Sequence, residues 1–258
     1  RFQGTPEDHG SNLSFELSGF NFAGYKVGLQ WSPIEELEVG VVYRSETETL
    51  IEGGDSRLFG LLEYDRAETQ FTLPDKVGLG VRGSIAPVSL ALDVEYTFNS
   101  KVQTQTFSFF NDPAPGAEPA DGPVEPAFEL VNFARWRDNV TLRLGAEYCL
   151  SLEPMGLDHQ IKPRIGYVYD GQVGNKAFPT AFGTPPTATQ TITMGAGYDG
   201  GPWEINLAYA YRYGSVTIDK TDLPHSSQSN TDSCLACGKP GRYEISLHGI
   251  YLDFSWDF

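Results

Sequence analysis

Residues 88–99 read VSLALDVEYTFN, and this stretch decides the fold. Val88, Leu90, Leu92, Val94, Tyr96 and Phe98 share one parity; Ser89, Ala91, Asp93, Glu95, Thr97 and Asn99 share the other. Alternation with period two places one set on each face of an extended strand, so the segment is a strand with one apolar and one polar face. Residues 76–85 repeat the pattern, with Val77, Leu79, Val81 and Ile85 set against Lys76, Gly78, Gly80, Arg82 and Ser84. Further segments at about 22–32, 37–46, 139–150, 160–170, 190–199, 203–214 and 242–258 read the same way. Each has the roughly ten residues that a tilted strand needs to cross a bilayer, whereas strands in soluble domains run to about five or six.

The connections carry a second signal. Short links (32–36, 86–87, 151–158, 200–202) alternate with long, polar, Pro- and Gly-rich ones (about 47–74, 100–137, 171–188 and 215–241). Short turns at one end and long loops at the other are the asymmetry of outer-membrane barrels. That direction sorts the aromatics on the apolar parity. Trp31, Tyr148, Tyr198, Trp203, Trp256 and Phe258 fall at the short-turn end, and Tyr43, Tyr96, Phe98, Tyr167, Tyr169, Tyr211 and Tyr213 at the long-loop end. Two girdles at headgroup level are expected of a barrel wall. The preference of Tyr and Trp for strands does not account for clustering at strand ends. The expectation is an antiparallel transmembrane β-barrel with about nine strands present, integral to a bacterial outer membrane.

Composition excludes other classes. The net charge is −16, the opposite of what nucleic acid requires. Mean hydropathy is −0.29, and no apolar run approaches the roughly 18 residues of a spanning helix. The 3 cysteines are too few for a disulfide scaffold. No phosphate loop, dinucleotide fingerprint or metalloprotease motif is present, and no cofactor is expected.

Nine strands is an odd count for bacterial single-chain barrels, which use even numbers. Residues 12–20, with Leu13, Phe15 and Leu17 alternating, offer a tenth strand; otherwise an odd number of strands lies upstream, which is the preferred reading. In the last segment Ile250, Leu252, Phe254, Trp256 and Phe258 share one parity, whereas Tyr243, Ile245 and Leu247 share the other. A one-residue bulge near Gly249 is expected to reconcile them. The terminal aromatic resembles the signal read by the barrel assembly machinery, so the natural C-terminus is expected here.

Several stretches resemble the FadL/TodX family of outer-membrane transporters. FAGYKVGLQWSPIEELEVGVVYRSE (22–46) is similar to a family strand–turn–strand ending in YRS. FTLPDKVGLGVRGSIAPVSLALDVEYTF (71–98) is similar to its Leu-Pro-acidic entry into the next hairpin, and 138–170 and 188–218 follow in order. The resemblance implies that residues 1–258 are one barrel segment, the last nine strands of fourteen, with the N-terminal hatch and the kinked strand outside it. It implies passive uptake of long-chain fatty acids or other hydrophobic compounds, such as aromatic hydrocarbons, by a non-enzymatic barrel. The alternative is a structural, adhesive or general-porin barrel without a specific hydrophobic ligand. Outer-membrane lipid and lipopolysaccharide are the expected surroundings, and a monomer the expected state.

Candidate site residues follow from the two faces. Charged groups of the polar parity line the lumen and are expected to pair across strands. Among them Arg82, Arg143, Lys162 and Arg164 are candidates to receive a ligand carboxylate, since guanidinium and ammonium groups suit it. The 47–74 loop carries Leu50, Ile51, Leu58, Phe59, Leu61, Leu62 and Tyr64, with two readings. Either Leu58, Phe59, Leu61, Leu62 and Tyr64 form an exposed apolar ligand site, as the resemblance implies for an external groove, or the loop folds inward on a satellite core. Phe107, Phe109, Phe110, Phe178 and Phe182 are weaker members of the same set. Cys234 and Cys237 suggest a loop disulfide in an oxidising compartment; a zinc site wants four ligands, and only His225 is near. No metal is expected. Ser246 and His248 share a face but lack a third group, so no catalytic residue is assigned.

Overall fold

The computed structural model describes residues 13–14, 16–58, 62–111, 124–179, 185–224 and 239–256. The chain begins with β1 (Leu13–Ser14), β2 (Lys26–Ile34), β3 (Leu37–Arg44), β4 (Thr47–Gly53), β5 (Ser56–Leu58) and β6 (Leu62–Tyr64). It continues with β7 (Arg66–Leu73), β8 (Lys76–Ile85), β9 (Val88–Thr97), β10 (Thr104–Phe110), β11 (Phe128–Phe133) and β12 (Asn139–Tyr148). Last come β13 (Leu150–Ser151), β14 (Gln160–Asp170), β15 (Thr189–Asp199), β16 (Trp203–Ile218) and β17 (Gly241–Trp256). The main sheet runs β17-β16-β15-β14-β12-β9-β8-β3-β2, with β13 attached to β14. All its pairings are antiparallel. We call this sheet the wall. Its strands are those the alternation predicts, except that β2 starts at Lys26 and β16 runs on to Ile218. The tenth strand offered by residues 12–20 does not join the wall: β1 pairs with β5, Leu13 opposite Leu58.

Register shows why the period holds. Val39, Val81, Leu92, Leu144, Tyr167, Ile192 and Tyr211 form one row across consecutive strands. One residue along, Gly40, Gly80, Asp93, Arg143, Val168, Thr191 and Arg212 form the next, on the opposite face. Among the described residues nothing packs on the apolar face: Leu90, Leu92, Leu144, Ile165 and Leu207 are exposed. A contiguous apolar face of this extent calls for a partner or a lipid environment.

The aromatic belts stand where the two ends were read. At the short-turn end Tyr198 stacks on Trp203 with ring centroids 5.3 Å apart, and Trp203 lies opposite Trp256. At the long-loop end Tyr96 meets Phe98 at 4.9 Å and Tyr211 meets Tyr213 at 5.7 Å. There the Tyr167 and Tyr213 hydroxyls both donate to Gln190 Oε1, at 3.0 and 2.9 Å. Phe258 lies outside the described residues.

The bulge expected near Gly249 is absent. β16 and β17 pair without a shift from Trp203–Trp256 to Ile218–Gly241. Instead the faces of β17 change polarity at Gly249, and those of β16 change further up, between Tyr213 and Ser215. Below Gly249 the face bearing Ile250, Leu252, Phe254 and Trp256 is apolar; above it that face carries His248, Ser246, Glu244 and Arg242, opposite Tyr211, Tyr213, Ser215 and Thr217. The hairpin rises beyond the apolar band and changes its faces there.

At the long-loop end the wall is continued by a smaller sheet of order β11-β10-β7-β4, the same order as the strands β12-β9-β8-β3 beneath it. The 47–74 segment is therefore largely strand, and the 100–137 segment contributes the two strands β10 and β11. One face of this cap carries a compact core, with Leu58, Ala67 and Phe109 buried against Leu17, Tyr64, Phe107, Phe128 and Leu130. Between wall and cap every strand breaks, at 45–46, 74–75, 98–103 and 134–138. Charged groups span the break: Lys101 Nζ lies 2.8 Å from both Glu46 Oε2 and Asp75 Oδ1. Asp138 accepts from the Ser100 backbone N–H at 2.8 Å and from the Tyr96 hydroxyl at 2.9 Å.

Asp75 and then Glu46 raise the Lys101 pKa, while the Ser100 N–H chiefly lowers that of Asp138. A raised lysine contributes stability fully below its ordinary value and loses it as pH rises through the folded value. A lowered carboxylate contributes above its ordinary value and loses it as pH falls through the folded value. Amide protection in β4, β7, β10 and β11, measured relative to the intrinsic exchange rate at each pH, is thus expected to be flat between roughly pH 5 and 10 and lower outside that window. Lys101→Met is expected to raise cap exchange at pH 7 without changing that of β14–β16, and Lys101→Arg to restore it.

Candidate functional site

The polar face of the wall is concave. One hollow of about 980 Å³ extends from Arg82 on β8 to Asp253 on β17, and a second of about 600 Å³ lies over β2, β3, β8, β9 and β12. Small residues make the first: Ala91, Gly145, Gly166, Thr193 and Ala210 form one row across five strands. A Cβ built at Gly145 meets nothing within 4 Å.

The four candidate cations all stand on this face, and each has a carboxylate partner. Arg164 on β14 reaches Glu147 at 2.5 Å on one side and Asn206 Oδ1 at 2.6 Å on the other. Asn206 belongs to β16, so the guanidinium crosses β15. It can do so because Gly195 and Gly197 sit beneath it: a Cβ at Gly197 would lie 2.6 Å from Asn206 Oδ1 and 3.3 Å from an Arg164 terminal nitrogen. Lys162 is 2.8 Å from Asp199 and 3.8 Å from Glu204. Arg143 is 3.4 Å from Glu95, which Lys76 also holds at 2.8 Å. Arg82 is the most loosely held, 4.0 Å from Glu38 with its side chain 50% exposed. The cross-strand pairing expected of a polar barrel interior thus engages three of the four closely and leaves Arg82 with spare donors.

Arg164→Met is expected to leave Glu147 without its cation, while Glu204, 3.7 Å from Arg164, keeps Lys162. The group is over a third exposed, so screening reduces the cost to about 1 kcal/mol or less, read as an earlier midpoint in urea refolding into vesicles. The sequence signal for this network was the pair of glycines on the polar parity of β15.

The apolar residues of the 47–74 segment divide between the two readings. Leu58 is fully buried, and Tyr64 packs with Phe109 and Phe128 at ring centroids of 5.4 and 6.3 Å. These belong to a satellite core. Leu50 and Leu62 are exposed. Phe59 and Leu61 lie outside the described residues, as do Phe182, His225, Cys234 and Cys237. Phe107 and Phe109 join the core, Phe110 lies under the Arg66 guanidinium at 4.1 Å, and Phe178 packs against Phe133 at 5.7 Å beneath Arg135 at 4.8 Å.

Cys149 is a half-buried free thiol 3.0 Å from Gln160 Oε1. Ser246 and His248 stand on the face opposite the hollow. His248 Nδ1 is 2.7 Å from the Tyr209 hydroxyl, its ring 4.8 Å from that of Tyr211, so it belongs to the aromatic belt. No group of His, Cys, Asp or Glu suited to a metal occurs among the described residues.

No family model and no curated protein matches the sequence. Among solved structures the chain is similar to a FadL homologue of Pseudomonas aeruginosa, with TM-score 0.64, 17% identity, and coverage of 91% of this chain and 52% of that one. It is also similar to a TodX deltaS2S3 mutant, a monoaromatic hydrocarbon channel, with TM-score 0.55, 15% identity, and 91% and 50% covered. The toluene transporter TodX of Pseudomonas putida gives TM-score 0.55, 14% identity, and 91% and 49%. The chain spans about half the length of the structures it matches. With its nine-stranded antiparallel wall, this chain has the all-β barrel fold of the FadL and TodX-type channels.

Proposed function

We propose that the chain is part of an outer-membrane channel through which hydrophobic compounds are taken up passively. The observation that carries the reading is the two-faced wall, with an unpacked apolar face bounded by aromatic belts and a concave polar face opposite. In water such a face would be a liability; in a bilayer it is the required surface. The likeness to hydrocarbon channels supports the class of cargo.

The wall is open among the described residues: β2 pairs only with β3, and β17 only with β16. Unpaired strand edges are not tolerated in hydrocarbon. The wall is therefore an arc of a closed barrel, with further strands pairing along both edges. Lipopolysaccharide surrounds its long-loop end, the assembly machinery inserts it, and it works as a monomer.

For cargo with a carboxylate, Arg82 is the receiving group, because its donors are the least engaged of the four; Arg143, Lys162 and Arg164 hold the wall together. Arg82→Ala is expected to weaken binding of a long-chain fatty acid severalfold and leave toluene binding unchanged. Isothermal titration of the full-length protein in detergent tests this, and equal affinities for wild type and variant would remove Arg82. Exposed Leu50 and Leu62 are the remaining loop contacts for cargo. A second reading, a surface barrel without a hydrophobic ligand, is favoured by the cap, whose apolar residues close on their own core. Mass spectra of the purified protein separate the two: bound acyl chains or hydrocarbons favour the channel, and an empty barrel the alternative.

A further inference from the structure

The exchange of faces at Gly249 leaves an apolar surface on the concave side of the wall. Above this point Leu247, Ile245 and Tyr243 of β17 face the interior, opposite Arg212, Gly214 and Val216 of β16. Below it the same face of β17 carries Tyr251, Asp253 and Ser255. Leu247 is 53% exposed, and Ile245, Tyr243 and Val216 are half-buried. Ile218, at the top of β16, is buried, so the strip is covered above and open below.

Its surroundings make the open part distinctive. At the height of Leu247 the neighbouring strands present Arg212, Thr191, Val168, Arg143 and Asp93 in turn, and Arg212 is tied to Asp170 at 3.3 Å and to Thr189 at 3.0 Å. Ile245 lies opposite Gly214, which contributes no side chain to cover it. Gly214 cannot be larger, since a Cβ there would lie 2.8 Å from the Ala188 carbonyl oxygen. One step below, the Tyr251 ring stands over Gly249, where a Cβ would meet it at 2.9 Å, and lies between the strip and the row of small residues that floors the larger hollow. An apolar solute moving along the wall at this height meets charge on β9, β12 and β16, and hydrocarbon on β17. Apolar side chains left in contact with water attract apolar solutes by about 25 cal/mol per Å² of surface covered.

We propose that Leu247 and Ile245, flanked by Val216 and Tyr243, form a contact surface for apolar cargo at the long-loop mouth, with the Tyr251 ring between it and the hollow. The proposal rests on the transport reading. It adds an apolar contact on the β16–β17 hairpin to the exposed Leu50 and Leu62 of the 47–74 segment.

The full-length protein in outer-membrane vesicles provides the test, with two probes: a bromine-labelled long-chain fatty acid and toluene. The double variant Leu247→Ser with Ile245→Ser is expected to bind both about tenfold more weakly. A second pair of variants reports contact directly. Leu247→Trp is expected to give saturable fluorescence quenching by the brominated acid, above the wild-type background. Ile250→Trp, on the lipid-facing side, is expected to show only the linear quenching of probe dissolved in the bilayer. Wild-type affinity in the serine variant, or linear quenching at position 247, would overturn the proposal while leaving the transport reading in place. If the wild-type protein binds neither probe, both fall together.

Discussion

Leu144→Arg is expected to prevent stable insertion, at a cost of about 2–4 kcal/mol, the penalty of an arginine at the bilayer midplane on a barrel's lipid face. Leu144 sits mid-strand in β12 between Leu92 of β9 and Tyr167 of β14. It is 52% exposed, and at so exposed a position in a soluble protein a substitution would cost no more than about 0.5 kcal/mol. The size of the effect therefore decides between lipid and water on that face. The next residue supplies the control: Gly145 faces the hollow with open space around it, and Gly145→Arg is expected to be tolerated. Urea titration of vesicle-refolded protein, with heat-modifiable electrophoretic mobility as the sign of a folded barrel, measures both.

Phe109→Ala is expected to unfold the cap and spare the wall. Phe109 is fully buried, packed with Leu58, Ala67, Tyr64 and Phe128. Truncating such a phenylalanine costs about 3–5 kcal/mol, more than a small sheet with one compact core can absorb. The strands β4, β7, β10 and β11 should lose amide protection together, while β12, β14, β15 and β16 keep theirs. Exchange read by mass spectrometry shows this; a loss of protection spread evenly over wall and cap would mean that the two are one cooperative unit.

These outcomes separate what the residues disclose from what only register discloses. The wall is legible because a strand with water on one side and hydrocarbon on the other must alternate, as Val88 to Thr97 does throughout. The belts are legible once loop length gives direction. The parity change at Gly249 is also visible, but it calls for a bulge only if the partner strand keeps its parity. β16 changes as well, Ser215 and Thr217 on one face and Val216 and Ile218 on the other, so no bulge is needed.

The cap is harder to read. Its strands are short, and the pairing of Phe107 with Thr69 and of Phe109 with Ala67 joins two hairpins across long stretches of chain. Nothing in either local pattern specifies that pairing. The same holds for the charges. That Arg164 answers to Glu147 and Asn206 depends on which residues lie level on neighbouring strands, and on two glycines that let it cross the strand between.

The most direct test of the channel reading is uptake. The full-length protein would be expressed in a Gram-negative host lacking its own carriers for hydrophobic compounds, and the entry of labelled long-chain fatty acid and labelled toluene followed. The account predicts saturable entry of at least one of them, lost when Leu144→Arg blocks insertion. A correctly folded, inserted barrel that admits neither faster than the empty host would contradict it.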